Sequence, residues 1–360
     1  MPVGAPTYKV GKRSAPIRVV QCFTGGVGSE CVRRIVDHPD MTLVGVLVHS
    51  ADKDGKDAGE LVGIGPIGIS ATRDLDQIIA LHPDAAIWHR QGYEPTLIAK
   101  LLAAGVNVYT AMGGHDVAGQ PEQELLERAC RTGGSTFAAA GNIPGLISDA
   151  LPIFLTGFTG KVRHIKAVQR NHVAHYPSAR QLVAGLGLGL PVEAAENQEV
   201  DGMWEWLMAM SCQTVARAIG IPFDGLRTVR KETRPAPHTV TLPGSGYIIE
   251  KGTIGGVRWT WEARSGGEVF LTIVNEQTAV FGLGEGWRTD DNAPAWTVEI
   301  DASPPLVATL TWPEGVPHAL ANSQLNSARA INMIPVLVDA PPGCRTILDL
   351  AMISGYAASK

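Results

Sequence analysis

The hydrophobic pattern becomes regular at Ile17-Arg18-Val19-Val20-Gln21-Cys22, an apolar run of strand length. A glycine-rich stretch, Phe23 to Ser29, follows it. Cys31, Val32, Ile35 and Val36 then recur at helical spacing before Asp37, and Leu43 to Val48 reads as a second buried strand. Strand, glycine turn, helix and strand in about 30 residues predict a βαβ unit. The alternation continues. A loop with a short strand at Ile67-Gly68-Ile69 leads to a helix over 74–81, with Leu75, Ile78 and Ile79 on one face. Strands are predicted at Ala85–Trp88, Val106–Thr110 and Ser135–Ala140, separated by helices over 94–104 and 121–131. This order predicts a doubly wound parallel sheet over 16–150.

The pattern changes after a helix at Leu146–Leu155. Val162 to Arg170 alternates like a half-buried strand, Asp201 to Ile219 reads as a long helix, and Val257–Arg264 with Val269–Thr278 reads as a hairpin turned at Ser265-Gly266-Gly267. Trp296–Ile300 and Leu306–Trp312 add strands with one apolar face each. The expectation is a second, α+β domain over 151–320 built on an open, mostly antiparallel sheet. Seven of the eight tryptophans lie beyond residue 200, which gives this half its own aromatic core. A final helix, Asn322 to Ile334, precedes Val336-Leu337-Val338, and residues 321–360 are expected to return to the first domain. Residues 1–15 read as a loose arm without the apolar core of a secretory signal.

Composition narrows the picture. The 360 residues carry a net charge of -5, so neither nucleic acid nor an anionic membrane is an expected partner. No apolar run reaches the roughly 20 residues that span a bilayer. Five cysteines, Cys22, Cys31, Cys130, Cys212 and Cys344, show no short paired spacing, so reduced thiols in a cytoplasmic protein are expected, with no metal site.

The chemistry enters through the glycines. In the dinucleotide fingerprint G-x-G-x-x-G the second glycine lets backbone approach the pyrophosphate, and the third lets helix pack on strand. Here Gly25 and Gly28 fill those two places, while Phe23 stands at the first. Thr24, Gly25, Gly26, Val27 and Gly28 are therefore candidate phosphate contacts. The second strand ends His49-Ser50, followed by Asp52 and Lys53. A hydroxyl and a cation there suit a 2′-phosphate, so NADP is favoured over NAD, with Asp52 as the counter-indication. Ligands of such sheets lie at the carboxyl ends of the strands, which adds His89, Arg90, Ala111, Met112 and Asn142 near the nicotinamide end. Gly185, Gly187 and Gly189 follow no strand and open no helix, and are not a second phosphate loop.

Four stretches together resemble the dihydrodipicolinate-reductase-like oxidoreductases, in the branch of 2,4-diaminopentanoate dehydrogenase and the native amine dehydrogenases. They are Val20 to Gly28, Lys53 to Leu61, Gly141-Asn142-Ile143-Pro144-Gly145, and Ala330 to Pro335 with Ala340-Pro341-Pro342-Gly343. The resemblance implies an N-terminal Rossmann domain, an α+β second domain that closes over the nicotinamide, a homodimer, and NAD(P)H-dependent reduction of a C=O or C=N group in a small-molecule substrate. It also implies a glutamate after the fourth strand, where this chain has Met112-Gly113-Gly114-His115-Asp116.

Hydride transfer to such a group needs a proton donor. His172, His175, Tyr176 and His115 are the candidates, histidine because it titrates near neutrality. His172 and His175 lack a third ligand for a metal. Three functions stay open: an amine dehydrogenase-like enzyme acting on a small, fairly apolar substrate, an ammonia-independent aldehyde or ketone reductase, and a non-catalytic NADP-binding regulator.

Overall fold

The computed structural model describes residues 14–90, 92–195, 198–291, 296–316 and 318–357. The arm expected over residues 1–15 lies outside these except for its last two residues, and Gln91 lies outside as well. The chain divides into two units, one of residues up to 141 together with 323 onward, the other of residues 142–322.

In the first unit β1 (Ile17–Cys22) leads to α1 (Gly26–Val36) and β2 (Met41–Leu47). Then come α2 (Ala58–Val62), β3 (Ala71–Thr72), α3 (Leu75–Ala80), β4 (Ala85–Trp88), α4 (Pro95–Ala103), β5 (Asn107–Thr110), α5 (Gln123–Gly133) and β6 (Thr136–Ala139). The strands form a parallel sheet whose far edge is a C-terminal strand described below. Alternation along β1 sends Val19 to one face, with Val32 and Ile35, and Val20 to the other, with Ile98, Leu101 and Leu126. Each of these buried aliphatics contributes roughly 1.5–3 kcal/mol. Helix starts follow local chemistry: Asp57 accepts from the N–H groups of Gly59 and Glu60 at α2, and Asp74 accepts from Asp76 at α3.

In the second unit a π-helical turn, Leu146–Ala150, runs into α6 (Leu151–Thr156). There follow β7 (Gly160–His172), α7 (Gln198–Ile219), β8 (Gly225–Pro235), β9 (Val240–Thr241), β10 (Ile248–Ile249), β11 (Ile254–Ser265), β12 (Glu268–Thr278), β13 (Trp296–Ser303) and β14 (Leu306–Leu310). The main sheet runs β14-β13-β7-β12-β11-β8. Every pairing in it is antiparallel except β7 with β12. The fold class is thus the expected one, with a second sheet that is mostly antiparallel and holds one parallel pair. The chain continues through α8 (His318–Asp339) to β15 (Gly343–Arg345), which pairs in parallel with β6.

Two local expectations are corrected, and one strand carried no sequence signal. Ile67-Gly68-Ile69 is loop, because the backbone N–H groups of Ile67 and Gly68 are bound by the Asp57 carboxylate, and the strand comes later, at β3. β8 escaped the periodicity reading because it is an edge strand carrying Arg227, Arg230, Lys231, Glu232 and Arg234; such charges blunt an edge and hide its alternation. α8 does not stop at Ile334 but runs through Pro335, held by the buried Ile331, Met333, Ile334, Val336 and Leu337 on both sides of the proline.

Candidate functional site

The turn after β1 is built to leave backbone bare. Gly25 is the N-cap of α1, no side chain among the described residues caps that end, and no acidic residue sits in its first turn. Its N–H groups and the positive end of the helix dipole are therefore left for an anion. Gly25 and Gly26 are exposed, and a Cβ on Gly25 would meet nothing within 4 Å. At Gly28, in contrast, a Cβ would stand 2.0 Å from the Phe23 carbonyl oxygen. The two glycines thus do different work: one keeps space open, the other lets helix meet turn. These residues fit a dinucleotide pyrophosphate.

Phe23 occupies the place of the first glycine with φ of 70°, a left-handed backbone that a bulky residue adopts only under constraint. The constraint is visible. The Phe23 N–H donates to Leu47 O at 2.6 Å, and the buried Gln21 Nε2 donates to the carbonyls of Cys22 and Phe23 at 2.8 and 3.0 Å. The ring packs edge-on against Trp88 and lies under the Arg90 guanidinium, 5.3 Å from its centroid. Arg90 is also paired with Glu94 at 2.6 Å. Gln21 was missed by the sequence reading, although a polar residue inside an apolar strand was its signal.

At the end of β2, Lys53 Nζ donates to the carbonyl and hydroxyl oxygens of Thr24 at 3.2 and 3.0 Å, which brings its charge to the glycine turn. The Ser50 hydroxyl bonds the exposed Asp52 carboxylate and is the largest cause holding that carboxyl below its ordinary range. His49 is exposed, and its carbonyl accepts from Arg73 Nε at 3.1 Å. Arg73, a second cation beside this strand end, carried no sequence signal because it arrives from β3. In the motif Lys53 to Leu61, Asp57 and Gly59 serve the fold: a Cβ on Gly59 would lie 2.0 Å from Gly65 O.

His89 Nδ1 lies 3.6 Å from Cys31 Sγ, and its buried Nε2 has no partner among the described residues. Burial pushes its pKa down to about 4. Ala111 and Met112 are half-buried, and the Met112 N–H donates to Thr110 Oγ1. His115 and Asp116 are buried, and the Asp116 carboxylate accepts from the Ala118 N–H at 3.1 Å. Gly113 and Gly114 before them both have positive φ.

In the second unit Asn142, Asn322 and Tyr176 form one chain of contacts. Asn142 Nδ2 donates to the carbonyl of Asn322 at 3.1 Å and to its side-chain oxygen, and Asn322 Nδ2 donates to the Tyr176 hydroxyl at 2.6 Å. The phenol oxygen is thus an acceptor here, and its own proton has no acceptor among the described residues. Burial raises the Tyr176 pKa to about 12, with the Asn322 contact opposing the rise, so the phenol stays protonated at neutral pH. Asn142, expected among cofactor contacts, has its Nδ2 bonded to Asn322. Sequence reasoning missed Asn322, which lies 146 residues from Tyr176.

His172 is held on two sides, by Asp291 at 3.0 Å and by the Ala279 backbone; burial is the largest influence on it and lowers its pKa. His175 is exposed, its ring 6.5 Å from that of His172. Among the described residues no three His, Cys, Asp or Glu side chains gather as a metal site, and no helix is long and apolar enough to cross a membrane.

Comparison with known proteins covers both units. Residues 146–359 match the family described as the 2,4-diaminopentanoate dehydrogenase C-terminal domain, and residues 18–88 match the dihydrodipicolinate reductase N-terminus. Over 349 residues the chain is 25% identical to an amine dehydrogenase of Streptomyces virginiae, covering 93% of this chain and 96% of that one. In fold it is similar to the amine dehydrogenase from Mycobacterium smegmatis, with a TM-score of 0.76, 18% identity, and 95% and 98% of the two chains covered. A more distant fold likeness, TM-score 0.51 at 15% identity over 90% and 88% of the chains, is to GenD2 from gentamicin A biosynthesis in complex with NAD.

Proposed function

The chain belongs to the family of the 2,4-diaminopentanoate dehydrogenase C-terminal domain, and from that premise we propose that it is an NADPH-preferring oxidoreductase of the amine dehydrogenase type, reducing a C=N group formed from a small carbonyl compound and ammonia. The observation that carries this reading is the uncapped start of α1 behind the open Gly25. The backbone N–H groups of Gly25 to Gly28 hold the pyrophosphate. Lys53 and Arg73 supply the charge for a 2′-phosphate, and the engagement of Asp52 by Ser50 takes that carboxylate out of competition for it. When bound, the nicotinamide supplies the hydride.

Tyr176 supplies the proton in this reading. A donor must hold its proton until the acceptor arrives and must have its oxygen fixed. The Asn142–Asn322 pair fixes the oxygen, and burial keeps the proton on. His172, tied to Asp291 and Ala279, orients the segment leading to Tyr176 and is not the donor. A homodimer belongs to the same reading and is checked by sedimentation.

One observation favours a second reading, an ammonia-independent aldehyde or ketone reductase: the segment Met112 to Asp116 offers the buried His115 and Asp116 but no glutamate. Following NADPH oxidation against aldehydes and ketones, with and without ammonia, separates the two. Turnover dependent on ammonia supports the amine reading, and equal turnover without it supports the carbonyl reductase. Tight NADPH binding with no turnover on any compound overturns both in favour of a regulator.

A further inference from the structure

A buried row of hydroxyls in the second unit ties α7 to the turn that carries Asn142. Ser148, Asp149 and Ser211 are each at most 2% exposed. Ser148 and Asp149 lie in the π-helical turn Leu146–Ala150, and Ser211 lies on α7. Ser211 Oγ donates to Asp149 Oδ2 at 2.6 Å, the Ser148 and Ser211 hydroxyl oxygens stand 2.7 Å apart, and the Gly145 N–H donates to Ser148 Oγ at 3.1 Å. A hydroxyl has one proton to give. Ser211 gives its proton to the carboxylate, so Ser148 donates to Ser211, and the Ser148 oxygen is left to accept from Gly145. The acceptor at Asp149 thus sets the direction of every bond in the row.

The row ends on a strained backbone. Gly145 has φ of 131° and ψ of -111°, a conformation that favours glycine. Its carbonyl accepts from the N–H groups of Asp149 and Ala150 at 3.1 and 3.0 Å, and it pairs across an antiparallel bridge with Asn142. The Asn142 carbonyl in turn accepts from the Ile147 N–H at 2.9 Å. Residues 142–147 therefore form a closed loop, and the hydroxyl row holds its Gly145 amide. From the other end of that loop Asn142 Nδ2 donates to the Asn322 carbonyl at 3.1 Å, and Asn322 Nδ2 donates to the Tyr176 hydroxyl at 2.6 Å. An unbroken line of contacts runs from Asp149 to the phenol, and wide helical turns of this kind recur at functional sites.

We propose that Asp149, acting through Ser211 and Ser148, is a positioning residue for the Tyr176 phenol: it orders the hydroxyl row that fixes Gly145, and with it the Asn142 side chain to which Asn322 is bonded. The inference rests on Tyr176 as the proton donor and deepens that reading. None of the three residues takes part in the chemistry. Their effect reaches the reaction only through the placing of the phenol oxygen, and a proton donor displaced by a fraction of an ångström loses rate rather than cofactor affinity.

The test is a double-mutant cycle between Ser148→Ala and Tyr176→Phe. It uses NADPH, ammonia and the carbonyl compound turned over fastest among short aldehydes and ketones. Ser148→Ala is expected to lower kcat about tenfold, with the KM for the carbonyl compound and the affinity for NADPH near their wild-type values. In the Tyr176→Phe background the same change is expected to cost less than about twofold, because the group it positions is gone. Asp149→Asn keeps the shape of the side chain and weakens the acceptor; it is expected to lower kcat about threefold in the same pattern, and it carries the test if Ser148→Ala does not fold. Equal losses in both backgrounds, a loss confined to KM, or no loss overturns the proposal. Tyrosine-ring NMR reads the same contact without turnover, the Tyr176 signal being the one missing from Tyr176→Phe. A protein that turns over no carbonyl compound but whose Tyr176 signal shifts in Ser148→Ala or Asp149→Asn loses the oxidoreductase reading and keeps the positioning contact. An unshifted signal in both variants overturns the proposal whether or not the protein is an enzyme.

Discussion

A phenol that accepts a hydrogen bond from an amide keeps its own proton to give, and this small asymmetry decides the role assigned to Tyr176. Tyr176→Phe is expected to lower kcat by about 100-fold or more, the ordinary worth of a general acid, while NADPH affinity stays unchanged. Steady-state kinetics beside a fluorescence titration of the cofactor checks both halves. Asn322→Ala, which removes the group that orients the phenol, is expected to lower kcat less and to leave the KM for the acceptor near its original value. His89 gives a prediction in pH. Its pKa falls from 6.5 to about 4 in the fold, so between these values the unfolded chain takes up a proton that the folded chain refuses. Above 6.5 the group has no effect; as pH falls through the window it costs up to a few kcal/mol, and below about 4 the cost stays constant. Urea midpoints at several pH values should show a shallower acid loss for His89→Asn than for the wild type. Of these residues Tyr176 and His89 were legible from their positions at strand ends. Asn322 was not, because its contact with Tyr176 depends on the fold and leaves no local pattern.

At the scale of elements, β1, the glycine turn and α1 act together, and two glycines three residues apart separate stability from binding. Gly28→Ala puts a methyl 2.0 Å from the Phe23 carbonyl and is expected to destabilise the protein by about 1–3 kcal/mol, seen as a lower urea midpoint. Gly25 has an ordinary negative φ and open space beside it, so Gly25→Ala should fold with unchanged stability and bind NADPH more weakly. The parallel strands were readable because both their faces are covered, which writes them as short apolar runs. β8 was not, since its edge position is kept soluble by charge. Phe23 shows the limit of motif reading. The fingerprint asks for glycine where the backbone is left-handed; here the turn keeps that conformation, with Gln21 and Leu47 holding it in place of the missing freedom.

At the scale of the whole molecule, residues 18–88 match the dihydrodipicolinate reductase N-terminus and residues 146–359 the 2,4-diaminopentanoate dehydrogenase C-terminal domain, and the sequence resemblance that linked them is borne out over nearly the whole chain. The arrangement around Tyr176 was least legible, because Asn142 and Asn322 reach it only through the fold. The proposed NADPH preference belongs to this scale too, since Lys53 reaches Thr24 in the glycine turn and Arg73 reaches the carbonyl of His49 from separate segments of the first unit. Lys53→Ala is expected to weaken NADPH binding about tenfold while changing NADH binding little, as befits the loss of one charge-assisted contact.

The most direct test of the account is a calorimetric titration of the wild-type protein with NADPH and with NADH. It predicts saturable binding of NADPH in the micromolar range and weaker binding of NADH. Failure to take up either nucleotide at millimolar concentration would contradict it, because the bare turn at Gly25 would then hold no dinucleotide at all.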